Sequence, residues 1–383
     1  MNIGCTGKLL DELKLKPSTR LVENPLFSWH AEFLLLNHRK AVLLVNDLTH
    51  YCVLLLGVNA QDLSNLDQLA VSAIEKSFLA EGIAPEIIEQ YLQALGEANF
   101  TSISDHPTVE VMARFVKEAK SYRDEEFDLE QIAQVEFNQQ VGNWDVNDID
   151  GDYECPQETL HRELAKLANV ESPVSVRAFQ FSINLALNEQ EVWRKVIIPG
   201  NITFRRLHAV IQTVFSWQDI HPHSFTIFKN GQPVARIVPS QEHMKKETEL
   251  PVALDRSTML GDYLPEHTQI KYIYDFDDRW EHYLQIEKTI EAYPYNYPTC
   301  IDAKGDGPPE DVGGAVGYNA FLQVLNDPEH PEHEETVSWG KKQDYKEFNM
   351  MWVNHSLRYA QYLNRRRIRR PSSGPWKRLY AVK

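Results

Sequence analysis

The first third of the chain alternates between two hydrophobic periodicities. Short apolar runs of strand character occur at 2–5, 29–36, 41–45, 51–58 and 100–103. The polar segment 37–40 lies between two of these runs and is typical of a hairpin turn. Apolar residues at helical spacing follow Thr6 and Pro85 and recur over 62–80 and 107–119. This alternation predicts a domain that mixes strands and helices.

The later part of the chain shows the same mixture with clearer strands. Predicted strands cover 175–187, 192–198, 224–228, 234–238, 269–276 and 281–290. Predicted helices follow the capping residue Thr203 and cover 318–325 and 353–364. The opening order of strand, strand, helix and strand is similar to half of a β-grasp fold. The expected fold class is therefore α+β, with two α+β domains, the second with a β-grasp-like start.

Changes in composition suggest where the domains begin and end. We predict an N-terminal α+β domain at 1–122, an acidic linker with short helices at 123–172, a second domain at 173–363 and a basic C-terminal tail at 364–383. One of the short helices is predicted at 156–168, just before the second domain. The linker prediction rests on the acidic segment 143–155, which is typical of a solvated chain. This segment does not fit an EF-hand loop, because Val146 and Gln157 would occupy positions that require carboxylates.

Overall composition excludes several classes of protein. Of the 383 residues, 43% are hydrophobic and 25% are charged, which excludes a disordered or fibrous chain. No apolar run approaches the roughly 20 residues of a membrane helix, and we expect no secretory signal and no membrane partner. The cysteines form no CxxC pair, so we expect a cytoplasmic protein without a zinc ribbon or a disulfide framework. They are Cys5, Cys52, Cys155 and Cys300.

The net charge of −16 is unevenly distributed, because the last 21 residues hold eight basic side chains and no acidic one. Five clustered arginines in this tail are candidate nucleic-acid contacts, since phosphate backbones attract cations. They are Arg365, Arg366, Arg367, Arg369 and Arg370. The alternatives are an acidic protein partner, or a solvated helix end whose cations interact favourably with the helix dipole.

Polar chemistry in the second domain is concentrated in three segments. Their sequences are WQDIHPHSF at 217–225, YDFDDRWEH at 274–282 and GPPEDVGGAVGY at 307–318. Imidazole together with carboxylates suits zinc, manganese or iron, and the same groups can act as general acid and base. The candidate ligand-binding residues are His221, His223, Asp275, Asp278, His282, Glu310 and Asp311.

Three of these residues, Asp275, His282 and Glu310, are the candidate metal ligands. Asp275 precedes the predicted hairpin turn and His282 follows it, so we expect the two to meet across the turn. Only one of His221 and His223 is expected to face the site. The alternative is structural, because an aspartate in a tight turn commonly caps its own backbone. A histidine beside tryptophan is also commonly a hydrogen-bonded part of the core.

These segments resemble the plasmid pRiA4b ORF-3-like family. The resemblance covers about 174–363 and rests on VWRKVIIP at 192–199, on the three polar segments and on their order. It implies an α+β domain that is widespread in bacteria, is often encoded near plasmids and mobile elements, and carries no established activity. Relatives often have cysteines flanking the Pro-Pro-Glu-Asp motif. Here those positions are Gly307 and Val312, which leaves oxygen and imidazole ligands.

The first domain is similar to a separate domain of unknown function that can precede this family's domain. That resemblance rests on CTGKLL at 5–10, FSWH at 27–30 and VND at 45–47. The leading functional hypothesis is an accessory or binding protein with a polar pocket in its second domain. The alternatives are a divalent-metal-dependent hydrolase acting on phosphoesters or nucleic acid, and nucleic-acid binding through the tail. The sequence lacks the G-x-S-x-G, P-loop and H-E-x-x-H motifs of common enzyme classes.

Overall fold

The computed structural model describes residues 1–19, 24–103, 108–143, 146–147, 153–244 and 249–360. The chain folds into two compact units. The first comprises Met1–Ser175 and Pro294–Asn296, and the second comprises Val176–Tyr293 and the chain from Tyr297 onward. Each unit combines helices with its own β-sheet, which confirms the predicted α+β class with two domains. No helix in the described part of the chain has the length and apolar character needed to span a bilayer.

The first unit is built on a five-stranded sheet with the order β4-β3-β2-β1-β5. The strands are β1 (Asn2–Cys5), β2 (Ser28–Leu36), β3 (Arg39–Asn46), β4 (Cys52–Leu56) and β5 (Asn99–Ser102), with a separate short pair, β6 (Val146–Asn147) and β7 (Tyr153–Glu154). The helices are α1 (Gly7–Leu13), α2 (Ala60–Ser64), α3 (Leu66–Ala80), α4 (Pro85–Leu95), α5 (Thr108–Ala119), α6 (Val135–Gly142) and α7 (Pro156–Ala168).

This sheet is buried on both faces, and each face has its own hydrophobic core. In β3, Val42 and Leu44 pack into one core, whereas Leu43 and Val45 pack into the other. Residues of α3, α4 and α7 complete the first core, and residues of α5 and α6 complete the second. The nearly continuous apolar sequence of β3 and β4 is the pattern expected for strands that are covered on both sides.

The segment that we predicted as an acidic linker, 123–172, lies in the first unit. A helix forms over the predicted span 156–168 as α7, but its Leu160 and Leu164 are buried in the first core. α6 contributes Phe137 and Val141 to the opposite core. The two helices need these partners because their apolar faces would otherwise meet water. The unit therefore extends to Ser175, beyond the predicted boundary at 122.

The second unit is built on an eight-stranded sheet with the order β12-β11-β10-β13-β14-β8-β9-β15. Its strands are β8 (Val176–Leu185), β9 (Val192–Pro199), β10 (His223–Lys229), β11 (Gln232–Val238), β12 (Val252–Leu254), β13 (Gln269–Tyr274), β14 (Trp280–Tyr293) and β15 (Thr299–Lys304). All neighbouring strands are antiparallel except β11 and β12. The helices are α8 (Phe204–Phe215), α9 (Gln241–Met244), α10 (Gly314–Leu325), α11 (His333–Lys342) and α12 (Met350–Ala360).

The strand–strand–helix–strand start of this unit is formed by β8, β9, α8 and β10. Thr203 caps α8, because its hydroxyl accepts a hydrogen bond from Arg206 N–H. The apolar face of α8 is fully buried in the hydrophobic core of the second unit, which we call the main core. This face includes Leu207 and Ile211. The predictions missed β12 and α9, which are only three and four residues long, and also β15 and α11. The last two have weak patterns, since β15 is a largely exposed edge strand and α11 buries only three of its residues.

Replacing Leu164 tests whether α7 is a core helix of the first unit. We expect Leu164→Ala in the full chain to lower the free energy of unfolding by about 2–5 kcal/mol, because a fully buried leucine leaves a cavity. Lys166→Ala is the control, since this side chain is 64% exposed and the expected change is within about 0.5 kcal/mol. Urea denaturation measures both variants. Equal unfolding midpoints would favour the solvated linker instead.

Candidate functional site

Three loops of the second unit meet beside strands β10 and β13. The first joins α8 to β10, the second is the turn between β13 and β14, and the third precedes α10. His223 at the start of β10 pairs with Tyr274 at the end of β13, so the first two loops are neighbours. The third loop joins them through a hydrogen bond from Gly313 N–H to Asp278 Oδ2 (2.9 Å).

The loop between α8 and β10 is fixed immediately before its histidine-bearing segment. Gln218 N–H donates to Glu310 Oε1 at 2.7 Å. Ile220 N–H donates to the Tyr274 hydroxyl at 3.1 Å. Because these two backbone groups are bound to the third loop and to the end of β13, the next residue, His221, lies close to the carboxylates of the second and third loops.

The turn between β13 and β14 holds Asp275 in the left-handed region, with φ of +55°. Aspartate is one of the few residues that adopt this conformation readily. Asp275 N–H donates to the Pro222 carbonyl at 3.0 Å. Its Oδ1 accepts from the N–H groups of Asp277 (2.9 Å) and Asp278 (3.3 Å), as in an Asx-turn. The turn therefore uses one carboxylate oxygen and leaves Oδ2 for another partner.

The loop before α10 supplies two neighbouring carboxylates, Glu310 and Asp311. Glu310 is buried, whereas Asp311 is partly exposed and has φ of +57°. The following Gly313 and Gly314 also have positive φ, of +95° and +68°. A Cβ atom on Gly314 would lie 2.8 Å from the carbonyl oxygen of Asp278. Glycine is therefore required where this loop crosses the β13–β14 turn.

The ring of His221 lies among three carboxylates. Its Nε2 is 3.4 Å from Asp275 Oδ2, 3.2 Å from Asp311 Oδ1 and 3.8 Å from Glu310 Oε2. Within the described residues, His221 Nε2 and Glu310 Oε2 are nevertheless buried without a hydrogen bond. His221, Asp275 and Asp311 each offer a ligand atom within 4.8 Å of the other two. Since buried polar atoms rarely lack a partner, this cluster has capacity for a cation.

Glu310 is the most deeply buried of the three carboxylates, with 1% of its surface exposed. Burial has the largest effect on its pKa and raises it to about 7, against the hydrogen bonds that lower it. Those bonds come from Gln218 N–H and from the Tyr274 hydroxyl, which donates to Oε1 at 2.9 Å. Glu310 therefore changes its charge near neutral pH, unlike an exposed glutamate.

The structure separates His223 from His221. His223 is buried, its Nε2 lies 3.0 Å from Asp255 Oδ2, and its ring stacks on that of His208 with the centroids 3.7 Å apart. Burial is the largest effect on the pKa of His223 and lowers it to about 4, so this ring is neutral at pH 7. Of the two histidines, His221 is the one that faces the carboxylates.

His282 does not join Asp275 across the hairpin turn, contrary to the expectation. It shares the inward face of β14 with Trp280 and Leu284, and its ring contacts Phe215 in the main core. Burial is the largest effect on the pKa of His282 and lowers it to about 3. His282 is therefore a neutral core residue rather than a neighbour of the carboxylate cluster.

Asp278 and the arginines of the tail are the remaining predicted residues. Asp278 connects the second and third loops, since its Oδ2 accepts the hydrogen bond from Gly313 N–H. The five candidate arginines of the tail, 365–367 and 369–370, lie outside the described residues. Nucleic-acid or acidic-protein binding through this tail stays a prediction.

Sequence reasoning did not single out the polar residues behind the His221 loop. His208 and Gln212 lie four residues apart on the buried face of α8 and both contact the Tyr272 hydroxyl. These two polar residues could have been identified from the sequence, because they lie at helical spacing on an otherwise apolar face. Tyr274 was likewise passed over, although it binds both Ile220 N–H and Glu310.

Comparison with known proteins finds relatives of both units. The family described as plasmid pRiA4b ORF-3-like protein matches residues 177–356, and a domain of unknown function (DUF6933) matches residues 2–159. The uncharacterized protein y4hQ of Sinorhizobium fredii (strain NBRC 101917 / NGR234) is 35% identical over 158 residues, which are 41% of this chain and 77% of y4hQ. A crystal structure of a protein of unknown function, MM3350 from Methanosarcina mazei Go1, is 31% identical, with a TM-score of 0.40 over 46% of this chain and 96% of its own.

The buried carboxyl group of Glu310 predicts a pH dependence of stability. In the unfolded chain its pKa is 4.5, and in the folded protein it is about 7, so the folded state binds more protons between these values. The free energy of unfolding therefore falls as the pH rises through this window, by up to about 3 kcal/mol. We expect Glu310→Gln, which keeps an acceptor oxygen, to lack this fall and to be more stable than the wild type at pH 8.

Urea denaturation at pH 5 and pH 8 in the presence of EDTA measures this difference. Asp277→Asn is the control, because Asp277 is exposed on the neighbouring turn. Its pH profile should match that of the wild type. Parallel profiles for the wild type and Glu310→Gln would show that Glu310 ionises like an exposed residue.

Proposed function

The chain belongs to the plasmid pRiA4b ORF-3-like family through its second domain, and we propose that this domain binds a divalent metal ion. The proposed ligands are His221 Nε2, Asp275 Oδ2 and Asp311 Oδ1. The proposal is carried by one observation: these residues offer ligand atoms within 4.8 Å of one another, while His221 Nε2 is buried without a hydrogen bond among the described residues. On this basis the protein is a metal-dependent binding or accessory protein.

The distances within the cluster suit a small transition-metal ion. Ligand atoms about 2.1 Å from one ion, at tetrahedral or octahedral angles, are about 3.0–3.4 Å apart. His221 Nε2 lies 3.4 Å from Asp275 Oδ2 and 3.2 Å from Asp311 Oδ1, so the separation of each of these two pairs is close to that of two ligands on one ion. One imidazole and two carboxylates favour zinc, manganese or iron, whose charge would balance the two acids.

Hydrogen bonds around the cluster support its role as a binding site. Asp275 Oδ1 is occupied by two backbone N–H groups of its own turn, which orients Oδ2 towards His221. Metal ligands are commonly oriented by such outer contacts. The carboxylates of Asp275 and Asp311 come from different loops, so an ion would also connect the second loop to the third.

Metal binding is tested on the purified full chain by elemental analysis and by titration with Mn²⁺ and Zn²⁺. We expect Asp275→Asn and Asp311→Asn each to weaken binding by more than about 100-fold, since losing a ligand should exceed the 10–100-fold effect of losing an outer contact. Asparagine tolerates the left-handed backbone of both positions, so the variants should fold. The control Asp277→Asn, in the same turn as Asp275, should bind like the wild type.

A wild-type protein that binds neither Mn²⁺ nor Zn²⁺ in excess would refute the proposed metal site. His221 would then be the centre of a structural ion-pair cluster, and the search for partners would move to other surfaces.

One observation favours phosphoester hydrolysis as a second candidate function. Glu310 Oε2 lies 3.8 Å from His221 Nε2 and makes no hydrogen bond within the described chain. A carboxylate beside a metal site can accept a proton from an attacking water molecule, and divalent ions stabilise charge on phosphoryl oxygens. Glu310 would be the proton acceptor in this reaction.

The hydrolase candidate is tested with bis(p-nitrophenyl) phosphate in the presence of Mn²⁺. Glu310→Gln should retain the metal and lose about 10²–10⁴-fold in rate, which is the usual contribution of a general base. Turnover that is absent from the wild type, or unchanged in Glu310→Gln, would exclude this role for Glu310.

A further inference from the structure

A closed circuit of four hydrogen bonds lies behind the loop that carries His221. Gln212 Nε2 donates to the Tyr272 oxygen at 3.1 Å, and this hydroxyl lies 2.7 Å from His208 Nδ1. His208 Nε2 lies 2.7 Å from Asp219 Oδ1. Asp219 N–H donates back to Gln212 Oε1 at 2.7 Å. We call Gln212, Tyr272, His208 and Asp219 the loop circuit.

One set of proton positions satisfies every bond of the loop circuit. Because Gln212 donates to the Tyr272 oxygen, the hydroxyl proton of Tyr272 is available for His208 Nδ1. With Nδ1 accepting this bond, His208 carries a proton on Nε2 and donates it to Asp219 Oδ1. Gln212, Tyr272 and His208 are buried, so the two bonds among them form where water competes little. The side chain of Asp219 is 44% exposed.

The loop circuit fixes Asp219, which lies two residues before His221. Asp219 has φ of +54°, a backbone conformation that aspartate tolerates better than most residues. Both its side chain and its N–H belong to the circuit. The N–H groups of the flanking Gln218 and Ile220 are bound instead by Glu310 and Tyr274. Three consecutive N–H groups of this loop, at 218, 219 and 220, are thus anchored by hydrogen bonds.

We propose that the loop circuit holds His221 in the position required for metal binding, with His208, Gln212 and Asp219 as positioning residues. The inference rests on the metal site proposed above. No member of the circuit is a proposed ligand, so its effect is transmitted through the backbone between Asp219 and His221. Outer contacts of this kind change metal affinity by about 10–100-fold.

The test compares three substitutions of Asp219 in the full chain by titration with Mn²⁺. Asp219→Asn keeps an acceptor for His208 and tolerates the left-handed backbone. Asp219→Gly suits that backbone but has no acceptor, and Asp219→Ala lacks both properties. We expect the Gly and Ala variants to bind Mn²⁺ about tenfold more weakly or worse, and the Asn variant to regain most of the affinity.

Leu207→Ala is the matched control, because Leu207 lies on the same helix and is fully buried outside the circuit. It should lower the urea midpoint and leave the Mn²⁺ affinity of the folded protein unchanged. If the wild type binds Mn²⁺ and Asp219→Gly binds it equally well, the positioning role is refuted and the metal site stands. If Asp219→Asn bound Mn²⁺ as weakly as Asp219→Gly, the hydrogen bond between His208 and residue 219 would not be the cause of the effect. A wild type that binds no metal overturns both proposals.

Discussion

The carboxylate of Glu310 is the contact on which the arrangement of the three loops depends. Its Oε1 accepts hydrogen bonds from Gln218 N–H and from the Tyr274 hydroxyl, so one atom connects the loop after α8, the end of β13 and the loop before α10. Its other oxygen is buried without a hydrogen bond among the described residues. A buried carboxyl with only one oxygen paired costs free energy. Such costs are concentrated at functional sites, where the surrounding fold offsets them.

Backbone conformation helps to explain why this region is rich in aspartate. Asp219, Asp275 and Asp311 all have positive φ, which aspartate tolerates better than most residues. Each of the three therefore meets a requirement of its turn, and each also directs its carboxylate towards a histidine ring. These two demands coincide at Asp275, where one oxygen serves the turn and the other faces His221. The amino-acid composition alone cannot distinguish an aspartate that serves a turn from one that also serves a site.

Local patterns predicted the elements better than the directions of individual side chains. The predictions of a helix at 156–168 and of a cap at Thr203 are confirmed by α7 and by the start of α8. The acidic segment 143–155 suggested a linker, because its composition outweighed the short apolar faces of the helices beside it. Alternation along β14 would have placed His282 with Trp280 on the core face. No local pattern specifies that β13 lies between β10 and β14, and this order brings the first two loops together.

The three loops carry their ligand-type residues at widely separated positions, 221, 275 and 311. In the unfolded chain the entropy of closing such long segments keeps these side chains apart. Zinc fingers differ, because their closely spaced ligands allow the metal to organise the fold. Here the sheet has to be assembled before the loops can meet. An ion at this site would therefore bind only to molecules that have already folded. It would stabilise these molecules by mass action, but it would not guide the chain to its native topology.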